Sequence, residues 1–239
     1  MESIVKNGVE IESNRVKTLS KQGERYMEHD IILSEIGRFV ENFSREHKLF
    51  SESFYRGHPN SPNLARYEVS DIFQQNPYDR AFMGLVEDYL EALIFVNLEN
   101  TFVDKSIELL FRVKQLESVV NKIVLKHQLD TIHQGSVVIQ KCLNDLLGAR
   151  LIVDTDLSYD DILSYIEILP WAWRPYYRKD GDYRALHLYV KNNNRFFPWE
   201  LQIWRKCDEI KNEKSHAEHV AKRRYIEWNE QYETLKKGG

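Results

Sequence analysis

The order of apolar and polar residues predicts helices in the first part of the chain. Over residues 23–50, apolar side chains recur at steps of three and four, which is the period of an amphipathic helix. The same spacing predicts helices over 79–98, 107–124 and 210–235. Residues 57–63 concentrate glycine, proline and asparagine, which end a helix. We therefore divide the chain into a helical N-terminal extension, residues 1–70, and a second unit, residues 71–239.

The later part of the chain changes period and predicts strands. Residues 150–154 form a short aliphatic run, and residues 183–190 and 199–204 alternate in residue type with an asparagine loop between them. This arrangement predicts an antiparallel hairpin. The fold class is then α/β or α+β, with helices packed on a mostly antiparallel mixed sheet.

Alternation along the hairpin divides its side chains between two faces. The apolar face collects the residues Leu186, Leu188, Val190, Trp199, Leu201 and Ile203. The other face collects Tyr183, Ala185, His187, Tyr189, Glu200, Gln202 and Trp204. If the apolar sets share one core, a tyrosine, a histidine, a carboxylate and an amide converge on the outer face. This face is either the floor of a site or an ordinary solvated sheet surface.

Two further groups of residues have the chemistry of a phosphate site. Arg112 is followed by Lys114, Ser118 and Lys122, and the last three are spaced by four residues. The predicted helix therefore places these three on one face, where they suit a polyphosphate or form a solvated basic stripe. Asp145 and Glu200 are carboxylates that together suit Mg²⁺, which binds a few carboxylates plus phosphate oxygens. The simpler interpretation is a helix-end hydrogen bond for Asp145 and a salt bridge for Arg150.

Composition narrows the class of protein. The 239 residues carry a net charge of −4, which disfavours a protein that coats nucleic acid by bulk charge but permits a local basic pocket. No apolar run is long enough to cross a bilayer, and the N-terminus lacks the apolar segment of a secretory signal. We expect no membrane partner, a cytoplasmic location, and free thiols at Cys142 and Cys207.

Five short motifs, taken in order, resemble the RelA/SpoT alarmone synthetase domain, particularly its small single-domain members. They are Arg112-Val-Lys114-Gln-Leu-Glu-Ser118-Val-Val-Asn-Lys122, Asp145-Leu-Leu-Gly148-Ala-Arg150, Lys179-Asp-Gly-Asp-Tyr183-Arg-Ala-Leu-His187, Glu200-Leu-Gln202-Ile and Ala217-Glu218-His219. The similarity extends roughly from Pro77 to Trp228. It implies a nucleotidyltransferase-like sheet and a magnesium-dependent enzyme that moves pyrophosphate from ATP to the 3′-hydroxyl of GDP or GTP.

The resemblance also implies a role for each matching residue. Arginines that match Arg112 and Arg150 sandwich the adenine, and the groups that match Lys114, Ser118 and Lys122 line the ATP phosphates. The resemblance makes Asp145 and Glu200 the magnesium ligands and catalytic pair, with Glu200 placed to activate the attacking hydroxyl. On the acceptor side, Tyr183 matches the residue that stacks on guanine. Lys179 and His187 match groups near the acceptor's phosphates and ribose, and Gln202 belongs to the same subsite.

Two departures from the family pattern bear on the acceptor. Asp182 replaces a glycine that usually precedes the stacking tyrosine, and its carboxylate would repel a guanosine polyphosphate by up to about 1 kcal/mol if solvated. Trp204-Arg205 stands where the family usually has Arg-Thr, so the arginine is turned to the opposite face of the strand.

Two alternative functions stay open at this point. The first is a toxin of a toxin–antitoxin module that pyrophosphorylates the 3′ end of tRNA. The residues Arg174, Arg178 and Lys179, or Lys222, Arg223 and Arg224, would then provide a basic surface. The second is an inactive nucleotide-binding regulator. An antitoxin protein or further copies of the chain are possible partners.

Overall fold

The computed structural model describes residues 2–75, 78–96, 107–133, 136–170 and 173–221, with side chains described from 26 onward except for 130–133, 173–174 and 219–221. The helices are α1 (Glu2–Gly57), α2 (Val69–Ile72), α3 (Arg80–Ile94), α4 (Leu116–His133), α5 (Ile139–Cys142), α6 (Tyr159–Glu167) and α7 (Glu209–Ala221). The strands are β1 (Ile107–Val113), β2 (Leu147–Val153), β3 (Trp173–Asp180), β4 (Tyr183–Val190) and β5 (Trp199–Arg205).

The five strands form one mixed sheet in the order β1-β2-β5-β4-β3. Only the β2–β5 pair is parallel, whereas β1–β2, β3–β4 and β4–β5 are antiparallel. The sheet and its helices confirm the predicted fold class. The predicted hairpin is also confirmed, because β4 and β5 pair with His187 opposite Gln202 and Tyr189 opposite Glu200.

Along residues 71–239, one prediction was wrong and one strand was not predicted. Residues 107–113, predicted as the start of a helix, form edge strand β1, and α4 begins only at Leu116. The apolar spacing in this short run is compatible with a helix or a strand. The run is a strand because it pairs with β2 from Leu147 to Val153. Strand β3 was not predicted, because its aromatic residues are mixed with charged ones and the run contains Pro175. Proline is tolerated in β3 because the strand lies at a sheet edge.

The apolar face of the hairpin packs against helices from the first part of the chain. Phe43 of α1 lies with its ring centroid 5.3 Å from that of Trp199, and the Trp199 indole donates a hydrogen bond of 2.9 Å to the hydroxyl of Tyr89 on α3. All three of these side chains are buried in one core cluster with the sheet. The division of the chain at residue 70 stays a prediction.

The opposite face of the sheet holds a small cluster of Ile152, Ala185 and Trp204, with Tyr183 packed against it. The main core therefore covers one face, and the other face carries this small cluster together with the polar residues His187, Glu200 and Gln202. The last predicted helix, 210–235, is described as α7 up to Ala221, and 222–235 lie outside the described residues. In the described part of the chain, no helix is long and apolar enough to span a membrane.

Candidate active site

A cleft of about 360 Å³ opens at the meeting point of β1, β2, β5 and α7. Its volume lies within the usual range for small-molecule sites, about 300–1,000 Å³. Five residues predicted for the site line this cleft, namely Arg112, Asp145, Arg150, Glu200 and Gln202. Six further residues complete the lining, namely Leu110, Phe111, Gly148, Ala149, Glu213 and His216. The sheet thus brings together side chains that are separated by up to about a hundred positions in sequence.

Asp145 lies between two lysines at one end of the cleft. Its Oδ2 accepts a hydrogen bond of 2.6 Å from Nζ of Lys114, and its Oδ1 accepts one of 3.0 Å from Nζ of Lys122. Burial alone would raise the pKa of Asp145, but the ammonium groups of Lys122 and Lys114 outweigh it and lower that pKa below its ordinary value. Burial in turn lowers the pKa of Lys114, although Asp145 opposes this effect. The cluster carries one excess positive charge, which suits an anion.

The helical placement of the basic series needs correction. Lys114 precedes α4 and is not on its face, because the backbone leaves strand β1 at Val113 and enters the helix at Leu116. Ser118 lies in the first turn of α4 and is half-buried. Lys114 and Lys122 nevertheless converge on Asp145, so the two ammonium groups meet through tertiary structure instead of helical spacing.

Glu200 is held by three neighbours on the polar face of the hairpin. Its Oε1 lies 3.0 Å from Nδ1 of His187 and accepts a hydrogen bond of 3.2 Å from the hydroxyl of Tyr189. Its Oε2 accepts a hydrogen bond of 3.1 Å from Nε2 of Gln202. Burial and the nearby charge of Asp145 act to raise the pKa of Glu200, but His187 and Gln202 outweigh them and the net shift is downward. Glu200 is therefore ionised at neutral pH and fixed in direction.

Of the predicted acceptor residues, Gln202 lines the cleft, and Tyr183 and His187 connect to the cleft residue Glu200 by hydrogen bonds. The hydroxyl of Tyr183 is 3.0 Å from Nε2 of His187, so Tyr183, His187 and Glu200 form one hydrogen-bonded chain. Burial raises the pKa of Tyr183 to about 12, so its hydroxyl is protonated and donates to His187. This leaves the Nδ1–H of His187 to donate to Glu200. Because His187 is only 2% exposed, this face is not an ordinary solvated sheet surface.

The ring of Tyr183 already has neighbours in this structure. The Cζ atom of Arg178 is 5.5 Å from the ring centroid of Tyr183, and the ring of Trp204 meets it edge-on at 5.9 Å. Lys179 is exposed on β3, opposite Arg184 in the β-ladder, and lies outside the lining of the cleft. Arg205 lies one position later than the arginine of the family pattern, and the prediction was that it faces away from the site. It does so, since Arg205 contacts Cys207 and the carbonyl of Leu157 instead of the cleft.

Arg150 is held from two sides. Its Nη1 donates a hydrogen bond of 2.7 Å to Oε1 of Glu213 on α7, and its Cζ lies 3.5 Å from the ring centroid of Trp204. Glu213 was not predicted as a site residue, because the sequence shows only that it lies on a polar helix. Tyr189 was also unassigned, although alternation places it on the same face as His187. Arg112 is exposed on edge strand β1, opposite Gly148.

The donor set of the cleft fits a magnesium ion. Asp145 and Glu200 both line the cleft, and the charge of one acts unfavourably on the other, so a divalent cation between them would relieve a repulsion. Within the described residues, no group of three or more His, Cys, Asp or Glu side chains forms a metal cluster. Two carboxylates are the protein ligands expected when substrate phosphates and water complete the coordination of Mg²⁺.

The cleft therefore combines the carboxylates of Asp145 and Glu200 with two arginines, and two lysines pair with Asp145 at its border. This combination of charges is chemically suited to a polyphosphate ligand. Residues 111–227 match the family model described as the region found in RelA/SpoT proteins. The chain therefore contains a RelA/SpoT-type domain, which confirms the resemblance seen in its motifs. No curated protein matches the chain.

Several solved structures are similar to this chain at low identity. Small alarmone synthetase 1 from Bacillus subtilis, bound to its product pppGpp, is 20% identical, with 59% of this chain and 78% of that chain covered and a TM-score of 0.35. A GTP pyrophosphokinase family protein from Streptococcus pneumoniae is 18% identical, with 64% and 80% covered and a TM-score of 0.37. Small alarmone synthetase 2 from Bacillus subtilis is 20% identical, with 67% and 89% covered and a TM-score of 0.35.

Proposed function

We propose that this chain is a pyrophosphokinase that transfers pyrophosphate from ATP to the 3′-hydroxyl of GDP or GTP, forming (p)ppGpp. The observation that carries the proposal is the cleft that Asp145 and Glu200 share with Arg112 and Arg150 within the RelA/SpoT-type domain. Phosphoryl-type transfer depends mainly on positioning and on neutralising charge, and these residues supply both.

The donor half of the site binds ATP. Arg112 and Arg150 flank the adenine, while Lys114 and Lys122 exchange part of their contact with Asp145 for phosphate oxygens. Ser118, at the start of α4, adds a hydroxyl. Asp145 and Glu200 would hold Mg²⁺, which supplies positive charge to the transferring phosphates when bound.

The acceptor half positions a hydroxyl against Glu200. The 3′-oxygen bonds to the β-phosphorus of ATP as the bond from that phosphorus to the AMP oxygen breaks, and Glu200 takes the hydroxyl proton. His187 and Gln202 hold the two oxygens of Glu200 in place, which aims the carboxylate at the acceptor. Tyr183 stacks on the acceptor base and Lys179 approaches its phosphates. General-base help of this kind contributes about 10²- to 10⁴-fold.

The 3′ end of tRNA is the second candidate acceptor. It is favoured by the exposed side chains of Arg178 and Lys179 on β3, beside Tyr183, where a longer polyanion would extend beyond the cleft. Exposed Asp182 in the adjoining turn acts against both acceptors. The side chain of Arg174 and the whole of 222–224, the other basic candidates, lie outside the described residues.

The decisive experiment supplies γ-labelled ATP and Mg²⁺ with GDP, GTP or deacylated tRNA in parallel. We expect label on a guanine nucleotide, with release of AMP, and loss of at least about 100-fold in rate for Glu200→Gln. Glu108→Gln is the matched control, because Glu108 is an exposed β1 carboxylate paired with Lys206 and outside the cleft lining. Label on tRNA alone would replace the alarmone assignment, and label on no acceptor would favour an inactive nucleotide-binding regulator.

A further inference from the structure

Trp204 forms a buried floor beneath Arg150. The indole is fully buried, and it packs with Ile152 and Ala185 on the face of the sheet opposite the main core. The Cζ atom of Arg150 lies 3.5 Å from the centroid of this ring, which is close contact between a guanidinium and an aromatic face. A ring enclosed in this way fixes the position of the group stacked on it.

Glu213 holds an edge of the same guanidinium. It accepts the 2.7 Å hydrogen bond from Nη1 of Arg150, and its own side chain is 53% exposed. One face of Arg150 is therefore covered by Trp204 and one edge by Glu213. Arg150 also lines the cleft together with Arg112 and Phe111, and the face opposite Trp204 is the one that these two contacts leave uncovered. This face is flat, cationic and held in position.

We propose that Trp204 and Glu213 are positioning residues that hold Arg150 as a stacking surface for the base of the donor nucleotide. They act through Arg150 and give the donor subsite its preference for a triphosphate that carries a flat base over a bare polyphosphate. This inference rests on the proposed function. Trp204 also meets the ring of Tyr183 edge-on at 5.9 Å, so the same indole borders the stacking groups of both subsites.

The test compares two ligands by calorimetry in the presence of Mg²⁺. ATP carries both base and phosphates, whereas inorganic tripolyphosphate carries only the phosphate part. The ratio of the two affinities isolates the contribution of the base and cancels general changes in charge around the phosphates. This ratio is measured for the unmodified protein and for Glu213→Gln, Trp204→Phe and Trp204→Leu, with thermal unfolding of each variant alongside.

We expect Trp204→Leu to lower the ratio about tenfold, because the cation–π contact is lost, and Trp204→Phe to restore part of it. Glu213→Gln should lower the ratio about threefold without lowering the melting temperature, because this side chain is largely exposed. Glu209→Gln is the control, since Glu209 lies on the same helix, pairs with Lys206 and is outside the cleft lining.

Three outcomes would overturn the inference. If neither affinity changes in Glu213→Gln and Trp204→Leu, Arg150 is not positioned by these residues. If both ligands weaken equally, so that their ratio stays the same, the two side chains serve only general structure. In either case ATP still binds the unmodified protein and the proposed function stands. If the unmodified protein binds no ATP, the inference and the proposed function fail together.

Discussion

The docking of α1 on the sheet depends on a buried histidine that has to stay neutral. His47 is fully buried, with its Nε2 2.9 Å from the carbonyl oxygen of Phe197 and its Nδ1 2.8 Å from Nδ2 of Asn192. The carbonyl needs a donor and the amide nitrogen needs an acceptor, so Nε2 carries the proton and Nδ1 does not. A second proton on Nδ1 would face the amide hydrogens of Asn192 and abolish that hydrogen bond.

This arrangement makes the fold sensitive to mild acid. Burial lowers the pKa of His47 from 6.5 to about 4, although the hydrogen bond to Phe197 opposes the shift. The unfolded chain therefore takes up a proton near pH 6.5 that the folded chain refuses until about pH 4, and stability falls as the pH drops through this window. At about 1.4 kcal/mol for each tenfold difference in proton affinity, the loss between pH 7 and pH 5 is about 2 kcal/mol.

Urea unfolding followed by tryptophan fluorescence measures this loss, since the ring of Trp199 lies 5.0 Å from that of His47. His47→Gln keeps an amide able to donate to Phe197 but cannot gain a charge. It should be less stable than the unmodified protein at pH 7 and lose about 2 kcal/mol less between pH 7 and pH 5. Parallel pH profiles for the two proteins, or an NMR titration of His47 near pH 6.5, would show that α1 does not bury this ring.

Two other predictions concern ligand binding. Tyr183→Ala should raise the KM for the acceptor about tenfold while changing the KM for ATP less than twofold, because a base–aromatic stack is worth about 1–3 kcal/mol. Tyr183→Phe, which keeps the ring and loses only the hydrogen bond to His187, should retain most acceptor affinity, and equal losses in the two variants would contradict the stacking role. Lys122→Met should weaken ATP binding about tenfold in calorimetry, because Lys122 is one of two cations beside Asp145. Lys141→Met, an exposed lysine outside the cleft lining, is the control, and equal ATP affinity in both variants would refute the assignment of Lys122.

The sequence predictions were correct where a structure depends on residues close together in the chain, and they failed where it depends on pairing between distant segments. The hairpin was predicted with its faces because a strand repeats every two residues, and this alone separates His187 and Glu200 from Leu188 and Leu201. Strand β1 was predicted as a helix because seven residues fit either period, and only its pairing with β2 distinguishes them. Strand β3 was missed because an edge strand needs no continuous apolar run.

In the candidate site, too, residue types were predictable from the sequence, whereas the contacts between distant residues were not. The motifs identified Asp145, Glu200 and the lysines as chemically suitable, and residue order alone gave the resemblance to the family. Their partners were not predictable from spacing, since Lys114 reaches Asp145 from the end of β1 while Lys122 reaches it from inside α4. Glu213 was missed for the same reason, because its position on α7 becomes meaningful only when that helix returns to the cleft beside Arg150.

Residue chemistry, the faces of the hairpin and the family of the later region could thus be inferred from residue order, because each depends on neighbours within a few positions or on the order of motifs. Which charges meet depends on the folded chain. Hydrogen bonds and ion pairs act over about 3 Å, and the sheet order that brings β2 beside β5 is a property of the whole chain. That order places Asp145 and Glu200 in one cleft and the indole of Trp204 beneath Arg150.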